Sequence, residues 1–195
     1  MSHRKQQSST EPSLLEAALD YAKRGWPVFP CHTVNDNGIC SCGKECSSPG
    51  KHPRTAHGLK DASANPTQLQ QWWTRWPDAN IGIPTGRVSN LLILDVDSEE
   101  ARRTYEGWEP RSDTFTVRTG CGWQFYFAYP RDADIRNSAS KLGTELDIRG
   151  EGGYVIAPPS RHYSGKRYSV LHDIPVAATP NSLLERLIKG TLLSG

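Results

Sequence analysis

The sequence has no apolar run near the roughly 20 residues needed to cross a bilayer. It also lacks an excess of charge. Lys and Arg number 23 against 21 Asp and Glu, a net charge of +2. No global field therefore draws it to nucleic acid, and any such attraction has to come from a local patch. Internal repeats and low-complexity tracts are missing too. Met1–Glu11 is polar and carries no apolar signal core, so it is expected to be a flexible lead-in to a soluble, cytoplasmic protein. Cysteines are few and odd in number: there are five, four of them between Cys31 and Cys46. That spacing argues against a disulfide framework and for a metal.

What is there is enough for one sizeable core. A length of 195 residues suits one domain or a domain with a small appendage. Ser13-Leu-Leu-Glu16 has the form of a capping box, Leu15, Ala18, Leu19 and Ala22 follow at helical spacing, and Gly25 suits a C-terminal cap. A helix over 13–24 is expected, then a short extended segment over Trp26–Pro30. Asn65-Pro66 starts a second helix, with Leu69, Trp72, Trp73 and Trp76 on one core-facing stripe, and Pro77 ends it. A short strand leads into a turn over Ile81–Gly86, and a helix runs from Ser98 towards Tyr105. Thr114–Arg118 and Trp123–Tyr129 read as a hairpin around Gly120-Cys-Gly122. Glu145–Arg149 and Tyr154–Ala157 read as a second strand pair around Gly150–Gly153. A last strand is expected over Arg167–Leu171, and a terminal helix from Thr179 to Gly190. Strands and helices mix without strict βα alternation, so the fold class is α+β around a mainly antiparallel sheet. The expected organisation is a lead-in over 1–12, a main domain over 13–178, and a C-terminal helix and tail over 179–195.

The chain is organised around Asn90-Leu-Leu-Ile-Leu-Asp-Val-Asp97. A run of four apolar residues, then Asp-Val-Asp, predicts a buried strand. Alternation puts Leu91, Ile93, Asp95 and Asp97 on one face and Leu92, Leu94 and Val96 on the other. Two carboxylates on one buried face repel unless paired, and Mg²⁺ or Mn²⁺ removes that cost. The alternative is that one Asp caps the following helix while the other is solvated. In Leu146-Asp-Ile-Arg149 the same parity sets Asp147 and Arg149 against Leu146 and Ile148. Asp147 thus becomes a candidate third carboxylate, or the partner of Arg149 or Lys141.

From Cys31 to His57 the apolar periodicity disappears. Cys40, Cys42, Cys46 and His52 offer three thiols and an imidazole within thirteen residues. Zn²⁺ takes four such ligands tetrahedrally in structural sites, and binding it can supply folding energy to such a loop. Cys31, His32 and His57 are reserve ligands, and Cys121 lies too far along the chain. The alternative is a set of reactive surface cysteines. Lys51, Arg54 and Lys60 form a candidate local basic surface for DNA phosphates, or a solvated charged face.

Several stretches together resemble one family, the bifunctional primase-polymerase N-terminal domains of plasmids, phages and mobile elements, in the archaeo-eukaryotic primase superfamily. They are Ala18–Pro30, the Cys-x-Cys loop ending in Pro49-Gly-Lys-His-Pro53, Ile81–Gly86, Leu94-Asp-Val-Asp97, the Thr119–Phe127 hairpin, and Leu146–Ser160. The resemblance covers about residues 13–175, in the family's order. It implies a primase-like core with an RRM-like sheet and an N-terminal αβ unit, joined by a zinc-bearing stem. It implies DNA primase and DNA polymerase activity on a DNA template and primer with dNTPs or NTPs, and a helicase in cis or in trans. The family's acidic ligands for Mg²⁺ or Mn²⁺ fall on Asp95, Asp97 and Asp147. The hairpin His that meets the incoming nucleotide in the family is replaced here by Gln124, which donates a hydrogen bond without charge. Arg118, Arg149 or Lys51 are the candidates to compensate. By strand parity Gln124 shares a face with Tyr126, opposite Trp123, Phe125 and Phe127.

Two rival readings remain at this point. One is a zinc-stabilised module that grips DNA without chemistry, favoured by Gln124 and opposed by the three aspartates. The other is a metal-dependent nuclease or phosphohydrolase, which needs a positioned water; no convincing His or Lys base lies near Asp95, Asp97 or Asp147 in the sequence.

Overall fold

A computed structural model describes residues 11–192. Residues 1–10 of the expected lead-in lie outside the described residues.

Helix α1 is Leu14–Lys23, and its capping box closes as the sequence predicts: the Glu16 N–H bonds the Ser13 hydroxyl and the Glu16 carboxylate accepts from the Ser13 N–H. Gly25 follows the C-cap with φ 83, a left-handed conformation that glycine adopts without strain. Strand β1 is Phe29–Cys31 and a 3-10 turn covers Gly58–Asp61. Helix α2 is Pro66–Arg75, capped by the Asn65 side chain. Its stripe faces the core: Leu69 and Trp73 are buried, and Trp72 and Trp76 pack against the same cluster. Strands β2 (Asn80–Pro84) and β3 (Leu91–Val96) follow, then helix α3 (Glu99–Glu106) with Ser98, not an aspartate, as N-cap. The remaining elements are β4 (Thr116–Arg118), β5 (Trp123–Ala128), β6 (Leu146–Arg149), β7 (Tyr154–Ala157), β8 (Ser169–His172), β9 (Ala177–Ala178) and α4 (Asn181–Leu192).

The strands form two sheets. One has the order β1-β2-β7, and the other β6-β3-β5-β4-β8 with β9 added in parallel to β5. Every other pairing between named strands is antiparallel. β3 is the organising strand of the larger sheet, and its period-2 pattern separates two cores. Leu91 and Ile93 join α1, α2 and the smaller sheet on one side. Leu92, Leu94 and Val96 join Ala101 and Tyr105 of α3 and Leu183 of α4 on the other. Both faces are buried, which is why the run reads as continuously apolar. No described helix is long and apolar enough to cross a membrane.

Two expectations need correction. β6 and β7 do not pair with each other: β6 joins β3 and β7 joins β2, in different sheets. The Gly150–Gly153 link is a crossing rather than a hairpin turn. Thr85 holds it by donating from its hydroxyl to Gly150 O at 2.7 Å and from its N–H to Gly153 O at 2.9 Å. A Cβ on Gly150 would run into the Ile135 carbonyl, and one on Gly153 into Asn137. The glycines thus permit close passage between the sheets. The last helix does not stop at Gly190 but continues to Leu192. One glycine costs a helix only about 1 kcal/mol, and no proline follows it.

Candidate active site

Asp95 sits where the apolar column Leu91–Ile93 ends. It lies directly opposite Asp147 on β6 and directly opposite Gln124 on β5. Residues facing each other across neighbouring antiparallel strands project to the same side. One row across three strands therefore reads Asp147, Asp95, Gln124. Asp97 follows just beyond the end of β3, held by its N–H to Glu145 O at 3.0 Å. The β4–β5 turn closes tightly over this strand end, because a Cβ on Gly122 would run into the Val96 carbonyl. Gln124 shares its face with the fully buried Tyr126, whose hydroxyl lies 3.5 Å from Gln124 Oε1.

Arg149, two residues beyond Asp147, reaches the same row. Its Nη2 lies 3.0 Å from Asp147 Oδ2 and 3.4 Å from Asp95 Oδ2. Asp147 Oδ1 also accepts from the Ser140 N–H at 2.9 Å. Burial pushes the Asp95 carboxyl up from its ordinary 3.8 to about 6, with Asp97 adding to the rise and Arg149 and Lys51 opposing it. Asp97 is raised as well, first by burial, with Lys51 pulling the other way. The row is thus a partly desolvated anionic site that calls for cations.

A cavity of about 250 Å³ opens above Asp95, Asp97 and Gln124. Its opposite wall comes from two loops. Lys51 enters from the segment after Cys46, and His162 and Tyr163 enter from the loop after β7. One buried amide ties the two loops together. Asn80 Nδ2 donates to Gly50 O and to Arg161 O, each at 2.8 Å, while its Oδ1 accepts from the Arg161 N–H at 2.9 Å and the Thr33 hydroxyl at 3.3 Å. A larger cavity of about 710 Å³ lies between the 130–142 segment and α4, away from the three aspartates.

Three thiols and one imidazole of the Cys31–His57 segment converge. The donor atoms of Cys40, Cys42, Cys46 and His52 all lie within 4.8 Å of one another, and Cys40 Sγ is 3.2 Å from His52 Nε2. Zinc–sulfur bonds near 2.3 Å in a tetrahedron put ligand atoms roughly 4 Å apart, so the set fits that ion. Burial opposes ionisation of Cys40, but hydrogen bonds from the Gly50 and Cys42 N–H groups, His52 and Cys42 outweigh it and bring the thiol down to about 6. Cys46 is pushed up to about 11 by desolvation and by its neighbours Cys40 and Cys42. Among the described residues no other group of His, Cys, Asp or Glu brings three donors so close. The aspartate row shares a face without that close approach, and the Arg149 guanidinium stands between two of its members.

Other candidates lie elsewhere. Arg118 pairs with Trp123, one position out of step with Gln124, so it projects from the opposite face and stacks 3.9 Å from the Trp123 ring centroid. It is not part of the Asp147–Asp95–Gln124 row. Lys51, Arg54 and Lys60 have different surroundings. Lys51 lines the cavity; Arg54 packs over Trp76 and bonds Ser41 Oγ at 2.9 Å; Lys60 lies on the 3-10 turn. Of the reserve ligands, Cys31 is a core residue of β1, His32 bonds Ser41, and His57 bonds Asp61. Sequence reasoning missed His162 and Tyr163. The signal was present in Ser160-Arg-His-Tyr-Ser-Gly165, a polar loop with a ring pair and a turn directly after a buried strand.

No curated protein matches the chain. Over residues 18–182 it matches the family model for the N-terminal domain of bifunctional DNA primase/polymerase. That span takes in the carboxylate row, the Cys–His cluster and both loops of the cavity wall, and the chain belongs to that family.

Proposed function

We propose that the chain catalyses template-dependent nucleotidyl transfer, as DNA primase and DNA polymerase, on a DNA template and primer with dNTPs or NTPs. The observation that carries this reading is the row Asp147–Asp95–Gln124, of which Asp95 and Gln124, with Asp97, line a cavity walled by Lys51. In the reaction the primer 3′-hydroxyl attacks the α-phosphorus, a new P–O bond forms, and pyrophosphate leaves. Mg²⁺ or Mn²⁺, held by Asp95, Asp97 and Asp147, would activate the hydroxyl and neutralise the triphosphate in a two-metal arrangement. The donor chemistry fits: hard carboxylate oxygens on a desolvated face that already draws in the Arg149 cation. Arg149, which pairs with Asp95 and Asp147 in the absence of such cations, would be free to turn its guanidinium to phosphate when they are bound. Lys51 adds a point charge from the opposite wall. Gln124 donates its amide to the same phosphates. In this reading the larger sheet is the RRM-like core of a primase, the smaller sheet with α1 and α2 is the αβ unit, and zinc on Cys40, Cys42, Cys46 and His52 is structural. A helicase, in cis or in trans, would supply the single-stranded template.

A second reading is favoured by Gln124 and by the internal pairing of Arg149: a zinc-stabilised module that binds DNA without chemistry. A primer-extension assay with Mg²⁺ and with Mn²⁺, using dNTPs and NTPs in turn, separates the two. Primer growth that depends on template supports the polymerase reading. A gel shift without growth under either metal overturns it.

A further inference from the structure

His162 is a buried imidazole on the cavity wall, 4 % exposed, and comes from the loop after β7, outside the strands that carry the carboxylate row. Its position is built from several sides. The backbone N–H bonds Lys166 O at 2.8 Å. The ring packs edge-on to Tyr168, with centroids 5.6 Å apart, and beside Tyr163 at 4.1 Å. On the hairpin side it rests on Gly120, where any Cβ would collide with the ring. The turn that leads into β5 and Gln124 is therefore shaped to admit this imidazole.

The hydrogen bonds fix which nitrogen is free. Nδ1 lies 3.2 Å from the Ser164 N–H and 2.8 Å from Ser164 Oγ. A backbone N–H can only donate, so Nδ1 is an acceptor and the neutral ring carries its proton on Nε2. Burial, with Lys51 and Lys166 nearby, lowers the ring's pKa to about 4, so it is neutral near pH 7. Nε2 has no hydrogen-bond partner among the described residues, yet it is not among their sealed, unpaired polar atoms, which are Arg54 Nε and Ser89 Oγ. A donor is thus left open on a ring that lines the cavity and whose other nitrogen is pinned.

We propose that His162 binds the triphosphate of the incoming nucleotide through Nε2–H, making from the cavity wall the imidazole contact that Gln124 cannot make from its floor. This inference rests on reading the cavity as a nucleotide site. Lys51, whose Nζ lies 5.7 Å from the Tyr163 ring centroid, contributes charge on the same wall. The neutral imidazole contributes direction, and Asn80 holds both of their loops in register.

The test compares binding of a non-hydrolysable dATP analogue and of dAMP, both with Mn²⁺, in wild type and three variants. His162→Asn keeps an amide at the Nδ1 position and loses the Nε2 donor. His162→Gln restores a donor at the Nε2 position. His162→Phe keeps the ring and removes both nitrogens. Asn and Phe should weaken binding of the dATP analogue about tenfold and leave dAMP unchanged, and Gln should stay within about threefold of wild type. Gln124→His added to His162→Phe should recover affinity for the analogue. Equal loss for the analogue and dAMP would mean a merely structural role and overturn the proposal, as would unchanged analogue affinity in the Asn variant. If Phe does not fold, the Asn and Gln variants decide. Primer extension is kept as a separate readout. A protein that binds the analogue through His162 and extends nothing overturns the polymerase reading alone; a protein that extends primers with an unchanged analogue-to-dAMP ratio overturns this inference alone. Wild type with no measurable binding of the analogue overturns both.

Discussion

Replacing Asp95 by Asn removes one charge from a residue that is 9 % exposed and sits between Asp147 and Gln124. Burial raises its carboxyl from 3.8 to about 6, and Asp97 contributes to the rise. The folded state therefore holds the proton more tightly than the unfolded chain does. Between pH 4 and 6 folding takes up protons, so stability falls as pH rises through that window, and the full cost is present above about pH 6. Two pKa units correspond to about 3 kcal/mol, an upper figure because water and side-chain relaxation screen part of it. Asn has the same shape and no charge. Asp95→Asn should then stabilise the protein by about 1–3 kcal/mol at pH 7.5, roughly 3–10 °C in Tm for a chain of this size.

The gain should vanish near pH 4, where wild-type Asp95 is itself protonated. It should also shrink when Mg²⁺ or Mn²⁺ is added, since those cations relieve the same repulsion in the wild type. The assay is thermal or denaturant unfolding of variant and wild type side by side at pH 4, 5.5 and 7.5, without a chelator, so that any zinc released in acid is released from both. Primer extension should fall about 10²–10³-fold or more in the same variant, because phosphoryl transfer depends on charge placed where it develops. A variant less stable than wild type at pH 7.5, or equally stable at every pH, would refute the reasoning. Asp95 would then be paired by Arg149 at no net cost.

The zinc reading expects one tightly held zinc per chain by elemental analysis; Cys40→Ser or His52→Asn should lose it, and hydrogen exchange should rise in the 31–57 segment well before β3. Because Lys51 adjoins His52 and lines the cavity, the same variants should also weaken nucleotide binding. Lys60→Gln should lower the slope of log affinity for DNA against log salt by about one, whereas Arg54→Ala, which removes a side chain only 12 % exposed, should show first as lost stability. Arg118→Ala should leave nucleotide affinity unchanged and cost about 1 kcal/mol in an unfolding titration, the scale of a cation–π contact.

The parts of this site that could be read from the sequence are those set by strand parity. Leu91, Ile93 and Asp95 share a face by the period of the strand, and because each side of β3 is buried in a different core, a one-residue slip would turn the carboxylates into the core that holds Leu92, Leu94 and Val96. The same argument applies to Asp147 and to Gln124. It applied equally to Arg118, but only once the hairpin register was known. The Thr119 N–H bonds Gly122 O, which sets Val117 opposite Gln124 and turns Arg118 to the far side. Composition alone does not reveal that register, because turns of different length around Gly120 and Gly122 give opposite parities. The separation of β6 from β7 was hidden for a related reason. Two short strands around a Gly-rich link look like a hairpin, and only the contacts of Thr85, Ile135 and Asn137 show that the link crosses between sheets.

The cavity wall follows a different logic. Neither the Cys31–His57 segment nor the loop after β7 has an apolar period, so nothing local says where Lys51 or His162 points. Their placement depends on Asn80, an unremarkable polar residue in the sequence that is fully buried and makes four hydrogen bonds to three segments. Leaving those partners unpaired would cost more than the bonds contribute, so the amide works as a constraint on where two loops can lie. The floor and the wall should therefore fail differently. A change on the floor leaves the sheet intact, because each aspartate adds repulsion to a strand already held by its apolar faces. A change at Asn80 leaves the floor in place and lets the wall move, taking Lys51 and His162 away from the row without touching either one.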